Sequence, residues 1–325
     1  GTPDHTRYRL LLSIRALARQ RLVERGEEAQ ARARHRAAYV AALGPELERL
    51  ERTGERAARR WIAREAENLR LVAGDPEVDA ALQADVVRAL EKVSLGDDPA
   101  LRVARLDRAL AGPPLDPVRA AHVLLARGRI HAISGQAEQA VADFERAHAL
   151  ALGAGVPGLA AAALVQLSVR RRQRAELEEA RVLGEQALAL AGGAGFPQIE
   201  AEAWACMGLL YGELDRPREA RVADERALAM FRELGDVGSQ GLALGNLAEL
   251  ALGEGALDEA ERLYTQAIEA FRANDDVAYE GVYLGFAAGV AHARGQRGRA
   301  RALYAEALER LDRVAARHVR GLTSA

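Results

Sequence analysis

Seven histidines, one cysteine and many carboxylates are the residues of this chain from which a reactive site could be built. The histidines are His5, His35, His122, His131, His148, His292 and His318. No two stand four apart, and none belongs to a His-Glu-x-x-His run, the spacing that aims two imidazoles at one zinc ion from a helix face. Cys206 has no histidine beside it and is followed by Met207, so it reads as a small buried apolar residue rather than a nucleophile. Carboxylates such as Glu176, Glu178 and Glu179 lie in charged runs. Acid–base catalysis needs two carboxyl groups in differently tuned surroundings, and no such pair is visible. Glycine clusters such as Gly192-Gly193 fall where turns are due, and no Gly-x-x-x-x-Gly-Lys-Ser/Thr loop is present to cradle phosphate. No catalytic residue, metal or cofactor is therefore expected. One run has binding character: Arg127, Arg129, Arg170, Arg171, Arg172 and Arg174. Guanidinium forks match carboxylate and phosphate, which suits an acidic or phosphorylated ligand. The competing reading is a solvated face answered by Glu176, Glu178 and Glu179.

The composition limits what can position such residues. Hydrophobic residues make up 49% of the 325 but aromatic ones only 4%, so the core must rest on Ala, Leu and Val. That is the composition of closely packed helices. Charged residues make up 28%, yet the formal net charge is only -2, which argues against a general trap for nucleic acid or anionic membrane. The basic residues are nearly all Arg, Lys92 being the sole Lys. A lone cysteine cannot form an internal disulfide, so a reducing cytoplasm is the expected compartment. No apolar run reaches the length of a membrane span, and Gly1 to Arg9 do not form a signal peptide. The only methionines are Met207 and Met230, so the chain is expected to be either processed or, the favoured reading, a piece of a longer protein.

The elements themselves come from an internal repeat. Ala140, Ala180, Ala220, Ala260 and Ala300 stand 40 residues apart. Seven residues after each comes another alanine: Ala147, Ala187, Ala227, Ala267 and Ala307. Twelve before each stands a small residue: Gly128, Ser168, Gly208, Ala248 and Ala288. Sixteen before stands a large one: Leu124, Leu164, Trp204, Leu244 and Leu284. Each copy reads as two helices joined by a short turn, with small residues where the axes must approach within about 8–10 Å. Turns are predicted at Gly135-Gln136, Gly255-Ala256 and Gly295-Gln296, where glycine ends a helix in the left-handed conformation. Another is predicted at Asp215-Arg216-Pro217, with Pro opening the next helix. Breakers between copies are Gly153 to Pro157, Gly192 to Pro197, Gly235-Asp236 and Asn274-Asp275-Asp276, whose Asp and Asn can cap.

These columns resemble the tetratricopeptide repeat: the fourth copy has Leu244-Gly245-Asn246-Leu247-Ala248, then Gly255, Ala260, Tyr264 and Ala267. The resemblance covers about residues 118–315. It implies an all-α, right-handed superhelical solenoid of antiparallel helix pairs, with a 40-residue period like that of bacterial signalling ATPases and kinesin light chain. The second copy departs most, with Arg171 for the usual Tyr and Gly184 for the aromatic, and looser packing is expected there. The organisation expected is a helical linker or cap over 1–75, a degenerate helix pair over 76–114, five repeats over 115–319 and a tail over 320–325. In the degenerate pair Ala100 continues the alanine column and Asp107 breaks it, with helices at about 78–94 and 99–111.

The first segment carries a second resemblance. Tyr8, Leu10, Leu11, Ile14, Arg15, Ala18, Arg34, His35, Tyr39, Trp61, Asn68, Leu69 and Arg70 match, in order, the segment joining a winged helix to the repeats in bacterial STAND-type, NB-ARC-like regulatory ATPases. Leu17 stands where that family often has Tyr, and Trp61 to Asn68 is about one helical turn short. This implies a sensor and protein-interaction module for a signalling ATPase or transcription regulator. The alternatives are a stand-alone scaffold and, less favoured, a nucleic-acid-binding repeat. In such superhelices the first helix of each pair lines the concave face. By position the partner-binding residues are Leu125, Arg129, Val165, Val169, Arg172, Leu209, Glu213, Asn246, Glu249 and His292, with Ala205 and Gly285 beside them. Gly245, Gly285 and Gly289 either leave room for an inserted group or serve close packing. The partner expected is a protein or peptide, or a small-molecule or acidic effector; a membrane is not expected, and self-association stays open.

Overall fold

A computed structural model describes residues 12–53, 56–75, 77–91, 98–192 and 195–323. Among these residues there are fifteen α-helices and no strand. In chain order they are α1 (Leu12–Glu24), α2 (Glu28–Thr53), α3 (Arg56–Ala73), α4 (Ala80–Glu91), α5 (Pro99–Ala111), α6 (Pro117–Ile133), α7 (Ala137–Gly153), α8 (Pro157–Gln173), α9 (Leu177–Gly192), α10 (Pro197–Glu213), α11 (Pro217–Glu233), α12 (Val237–Gly253), α13 (Leu257–Ala273), α14 (Val277–Ala293) and α15 (Arg297–Thr323). Tyr8, Leu10 and Leu11 lie outside the described residues.

From α6 onward the chain is an all-α solenoid of helix pairs: α6/α7, α8/α9, α10/α11, α12/α13 and α14/α15. One turn joins every helix to the next, within pairs and between them. A residue with positive φ recurs every twenty positions, at Gly135, Gly155, Ala175, Gly195, Asp215, Gly235, Gly255, Asp275 and Gly295. The residue after it returns its N–H to the helix: Gln136 N to His131 O at 2.8 Å, Val156 N to Ala151 O at 3.0 Å, Asp276 N to Phe271 O at 2.9 Å. This closure satisfies a terminal carbonyl and reverses the chain. Asp236 and Asp276 then cap α12 and α14 by accepting from Ser239 N and Tyr279 N, whereas Asn274 ends α13. Prolines open α6, α8, α10 and α11, where a missing N–H costs nothing.

Ala175 holds φ 61 where most turns have Gly. A Cβ there is strained, while glycine costs extra entropy in the unfolded chain. Ala175→Gly is expected to stabilise by about 0.5–1 kcal/mol net. Urea unfolding checks this, and a loss of stability would show that the turn carries no strain.

The repeat columns form the core. Ala140, Ala180, Ala220, Ala260 and their partners seven residues on are buried. In the first three pairs the small residue on the first helix faces position 144, 184 or 224 of the second. A Cβ on Gly128 would meet the Phe144 ring at 2.6 Å, so only glycine seats that ring. The second pair corrects the expectation of looser packing. Opposite Ser168 stands Gly184, and Met207 of α10 fills the space: a Cβ on Gly184 would lie 2.3 Å from its Sδ. Met207 is fully buried. A thioether on three rotatable bonds suits such a gap.

Before the repeats, Leu43 and Leu47 of α2, Ile62 and Leu69 of α3 and Val86 and Leu90 of α4 share one buried cluster. Several residues of the second resemblance meet here. Glu65, nearly buried, accepts from Tyr39 Oη and Asn68 Nδ2, each at 3.0 Å, and the His35 and Tyr39 rings lie 4.7 Å apart. α4 and α5 pack on α6, while α2 reaches across to α10.

Candidate partner-binding groove

The first helices of neighbouring pairs, α6, α8, α10 and α12, touch in sequence, whereas second helices show no comparable approach. That asymmetry sets the first helices on the inner side of the curve. Their groove-facing positions differ along the array, and the groove has two chemically distinct halves.

The half lined by α10, α12 and α14 is apolar. Leu209, Leu242, Tyr279, Val282 and Phe286 are all exposed. Behind them is an aromatic stack: Tyr264 and Phe286 at 5.8 Å, Tyr283 and Phe286 at 5.5 Å, Phe271 and Tyr283 at 4.9 Å. Two glycines of α12 make room for it. A Cβ on Gly245 would lie 2.1 Å from the Tyr283 ring, and one on Gly241 2.7 Å from Phe271. Gly245 therefore offers no vacancy for a partner. Gly285 does face open space, and at Gly289 the nearest atom to a Cβ would be Tyr304 Oη at 3.9 Å.

Beneath this half sits Asp224 of α11, 1% exposed, at the position held by Phe144 and Tyr264 in other pairs. Its carboxylate occupies the hollow over Gly208, whose Cβ would lie 2.4 Å from Oδ1. Asn246 donates to Oδ1 at 3.1 Å. Loss of water around the carboxyl pushes its pKa up to about 7, against the Asn246 hydrogen bond, which lowers it; Glu249 adds to the rise. Glu249 itself opens onto the groove, and desolvation raises its carboxyl pKa. The Tyr264 and Tyr283 hydroxyls are raised too, first by burial and then by Glu249.

The other half, along α6 and α8, carries the arginines, and the structure disperses them. Arg127 bridges Asp143 and Asp107, at 2.5 and 2.7 Å. Arg171 pairs with Glu176 at 2.7 Å and Glu179 at 3.5 Å, while Glu178 serves Arg181 instead. Arg172 pairs with Glu213, so two expected groove residues neutralise each other. Arg170 stands at the position of Ile130 and Leu210. Its Nε is buried without a hydrogen-bond partner, and burial lowers the pKa of its guanidinium. Arg174 is exposed at the end of α8. The run is therefore no continuous cationic surface.

Of the other expected residues, Leu125 and Arg129 line a pocket, Val169 is half-buried, and His292 is exposed near the end of α14. Val165 and Leu125 are corrections: each is 4% exposed and belongs to the core cluster shared by α6, α8 and α10, so they support the groove without facing it. Cys206 is buried, with Ser168 Oγ 3.6 Å away, and burial pushes its thiol pKa up. No group of three or more His, Cys, Asp and Glu that could hold a metal occurs among the described residues. No described helix is long and apolar enough to cross a membrane.

Asp224 was missed by spacing arguments, although its signal was present: a carboxylate in a column otherwise aromatic or Gly. Arg59, Gln198 and Glu202, described below, carried no such signal.

Residues 200–273 match the tetratricopeptide repeat family. No curated protein sequence matches the chain. Among solved structures, a Rap protein complexed with competence and sporulation factor is 15% identical with TM-score 0.61, over 88% of this chain and 97% of that one. Aspartyl phosphate phosphatase F from Bacillus subtilis is 13% identical with TM-score 0.62, over 90% and 74%. BtubC (BKLC) from P. vanneervenii is 18% identical with TM-score 0.51, over 67% and 91%. At such identities the likeness carries the fold and not the activity in a name. Residues 200–273 thus carry tetratricopeptide repeats, and the wider chain shares the fold of these solved structures.

Proposed function

We propose that this chain is the sensor and partner-docking module of a regulatory ATPase or transcription regulator, holding a protein or peptide along the inner helices. The observation that carries the docking part is the exposed apolar stripe of Leu209, Leu242, Val282 and Phe286 beside Asn246 and Glu249. Apolar surface of this kind, rimmed by polar groups, marks interaction sites on soluble proteins. The regulatory part is supported by the order of His35, Tyr39, Trp61, Asn68 and Leu69, and by α2 lying against α10. A partner that favours one curvature of the array would bias the position of the first helices, and with them whatever precedes them. A Rap protein holding competence and sporulation factor shows this fold carrying a partner.

Two experiments separate the parts. The gene upstream of Gly1 should encode a nucleotide-binding module in frame. A start codon there with no such module leaves a stand-alone scaffold and removes the regulatory part. For docking, L209D/F286D should weaken partner binding at least about thirtyfold, the loss of a central apolar anchor. Val222→Asp, at a 62% exposed position on α11, should bind as the unaltered protein does. Equal loss in both would place the partner elsewhere.

A further inference from the structure

Where α2 to α5 meet the first three repeat pairs, a pocket of about 300 Å³ opens among residues from α2, α3, α4, α5, α6, α8 and α10. That volume is at the low end for small-molecule sites. Two of its arginines, Arg59 of α3 and Arg129 of α6, form no ion pair or hydrogen bond among the described residues. Gln198 of α10 supplies the second feature. Its Nε2 donates to Glu202 Oε1 at 3.3 Å and to Asp236 Oδ2 at 3.1 Å. Both partners are acceptors, so the amide cannot be turned round. Gln198 Oε1 is therefore left buried with no donor. A buried acceptor without a partner is destabilising unless a ligand or water supplies one. Glu202, also lining the pocket, forms no ion pair among the described residues. Leu159, Ile199 and Phe196 form an apolar stretch of the wall, and Glu48, Arg88, Glu91, Arg102 and His122 complete its polar lining.

We infer that this pocket is an effector site for a small zwitterion with an apolar body, of the class of the free apolar amino acids. The carboxylate faces Arg59 and Arg129, the ammonium donates to Gln198 Oε1 and Glu202, and the side chain lies on Leu159 and Ile199. The ligand thereby ties α3 to α6 and α10, so its binding couples the first helices to the repeats. This goes beyond the docking stripe along α10, α12 and α14, which needs no small ligand.

The probes are leucine, methionine and phenylalanine, with 4-methylpentanoate and isoamylamine as leucine lacking one charge each. Calorimetric titration of the intact chain should give one site for at least one amino acid. The two analogues should bind at least about tenfold more weakly, as expected for loss of a charge-assisted contact. Arg59→Gln, on an exposed side chain that the fold does not need, should lose at least about tenfold, and Gln198→Ala likewise. Amino acids that neither bind nor raise the melting temperature at millimolar concentration would overturn the assignment. So would isoamylamine binding as tightly as leucine, or R59Q binding leucine unchanged. None of these results bears on whether the groove docks a protein.

Discussion

Asp224→Asn is expected to stabilise the protein at pH 8 and to leave it nearly unchanged at pH 4. The unfolded chain releases this proton near pH 3.9, whereas the folded chain holds it up to about pH 7. Between those values the folded state binds the extra proton, so stability falls as pH rises through the window. The stabilising contribution of the protonated acid is fully present below the unfolded pKa and is gone above the folded one. About three pKa units correspond to about 4 kcal/mol at most, and 2–4 kcal/mol is the expected gain for the variant at pH 8. Asparagine keeps an oxygen for Asn246 Nδ2 and fits the hollow over Gly208 without ionising. The measurement is denaturant unfolding of both proteins at pH 4, 5, 6, 7 and 8, read as their difference so that other titrating groups cancel. A difference that does not grow with pH would show that the carboxyl ionises in the fold as it does in water.

This buried acid also bears on the groove. In three of the other four pairs the equivalent position holds an aromatic ring: Phe144, Tyr264 and Tyr304. Replacing a ring by a carboxylate at 1% exposure sacrifices stability where packing is otherwise regular. Local rules broken at one place in an otherwise consistent fold mark function or strain. Asp224 lies under Asn246 and beside Glu249, so protonation changes the charge just beneath the apolar stripe. A partner docked on that stripe would be coupled to the same proton by linkage.

The solenoid was legible because its cause is periodic. An alanine every forty residues, with a small residue twelve before it, leaves few other ways to pair helices, and the turns form where Gly135, Gly255 and Gly295 required them. Ala175 was not legible as a turn, since an L-residue gives no hint of left-handed backbone; the surrounding helices impose it. The arginine run shows a different limit. Adjacent arginines on a helix point in different directions, and the partners that disperse them, Asp107, Asp143 and Glu213, come from other helices. The junction pocket joins Arg59 to Arg129 and Gln198 across long stretches of chain. No local pattern encodes such a meeting; it follows from the docking of α2 and α3, which depends on many weak apolar contacts together.

The second pair offers the sharpest test of how neighbouring repeats share a core. Met207→Ala removes a fully buried side chain and should cost about 2–5 kcal/mol, as large-to-small core changes do. Gly184→Phe restores the aromatic that the repeat pattern favours, yet it should also destabilise, by about 1–3 kcal/mol, because its Cβ would enter the space of Met207 Sδ. Combined, the two changes let a ring from α9 fill the hollow over Ser168 that a thioether from α10 fills now. The double variant should therefore be more stable than Met207→Ala alone, with a coupling of about 1–3 kcal/mol in its favour. Urea unfolding of the four proteins measures that coupling. Additive losses would mean that Gly184 and Met207 do not compete for one space, and that the departure of the second copy from the pattern has another cause.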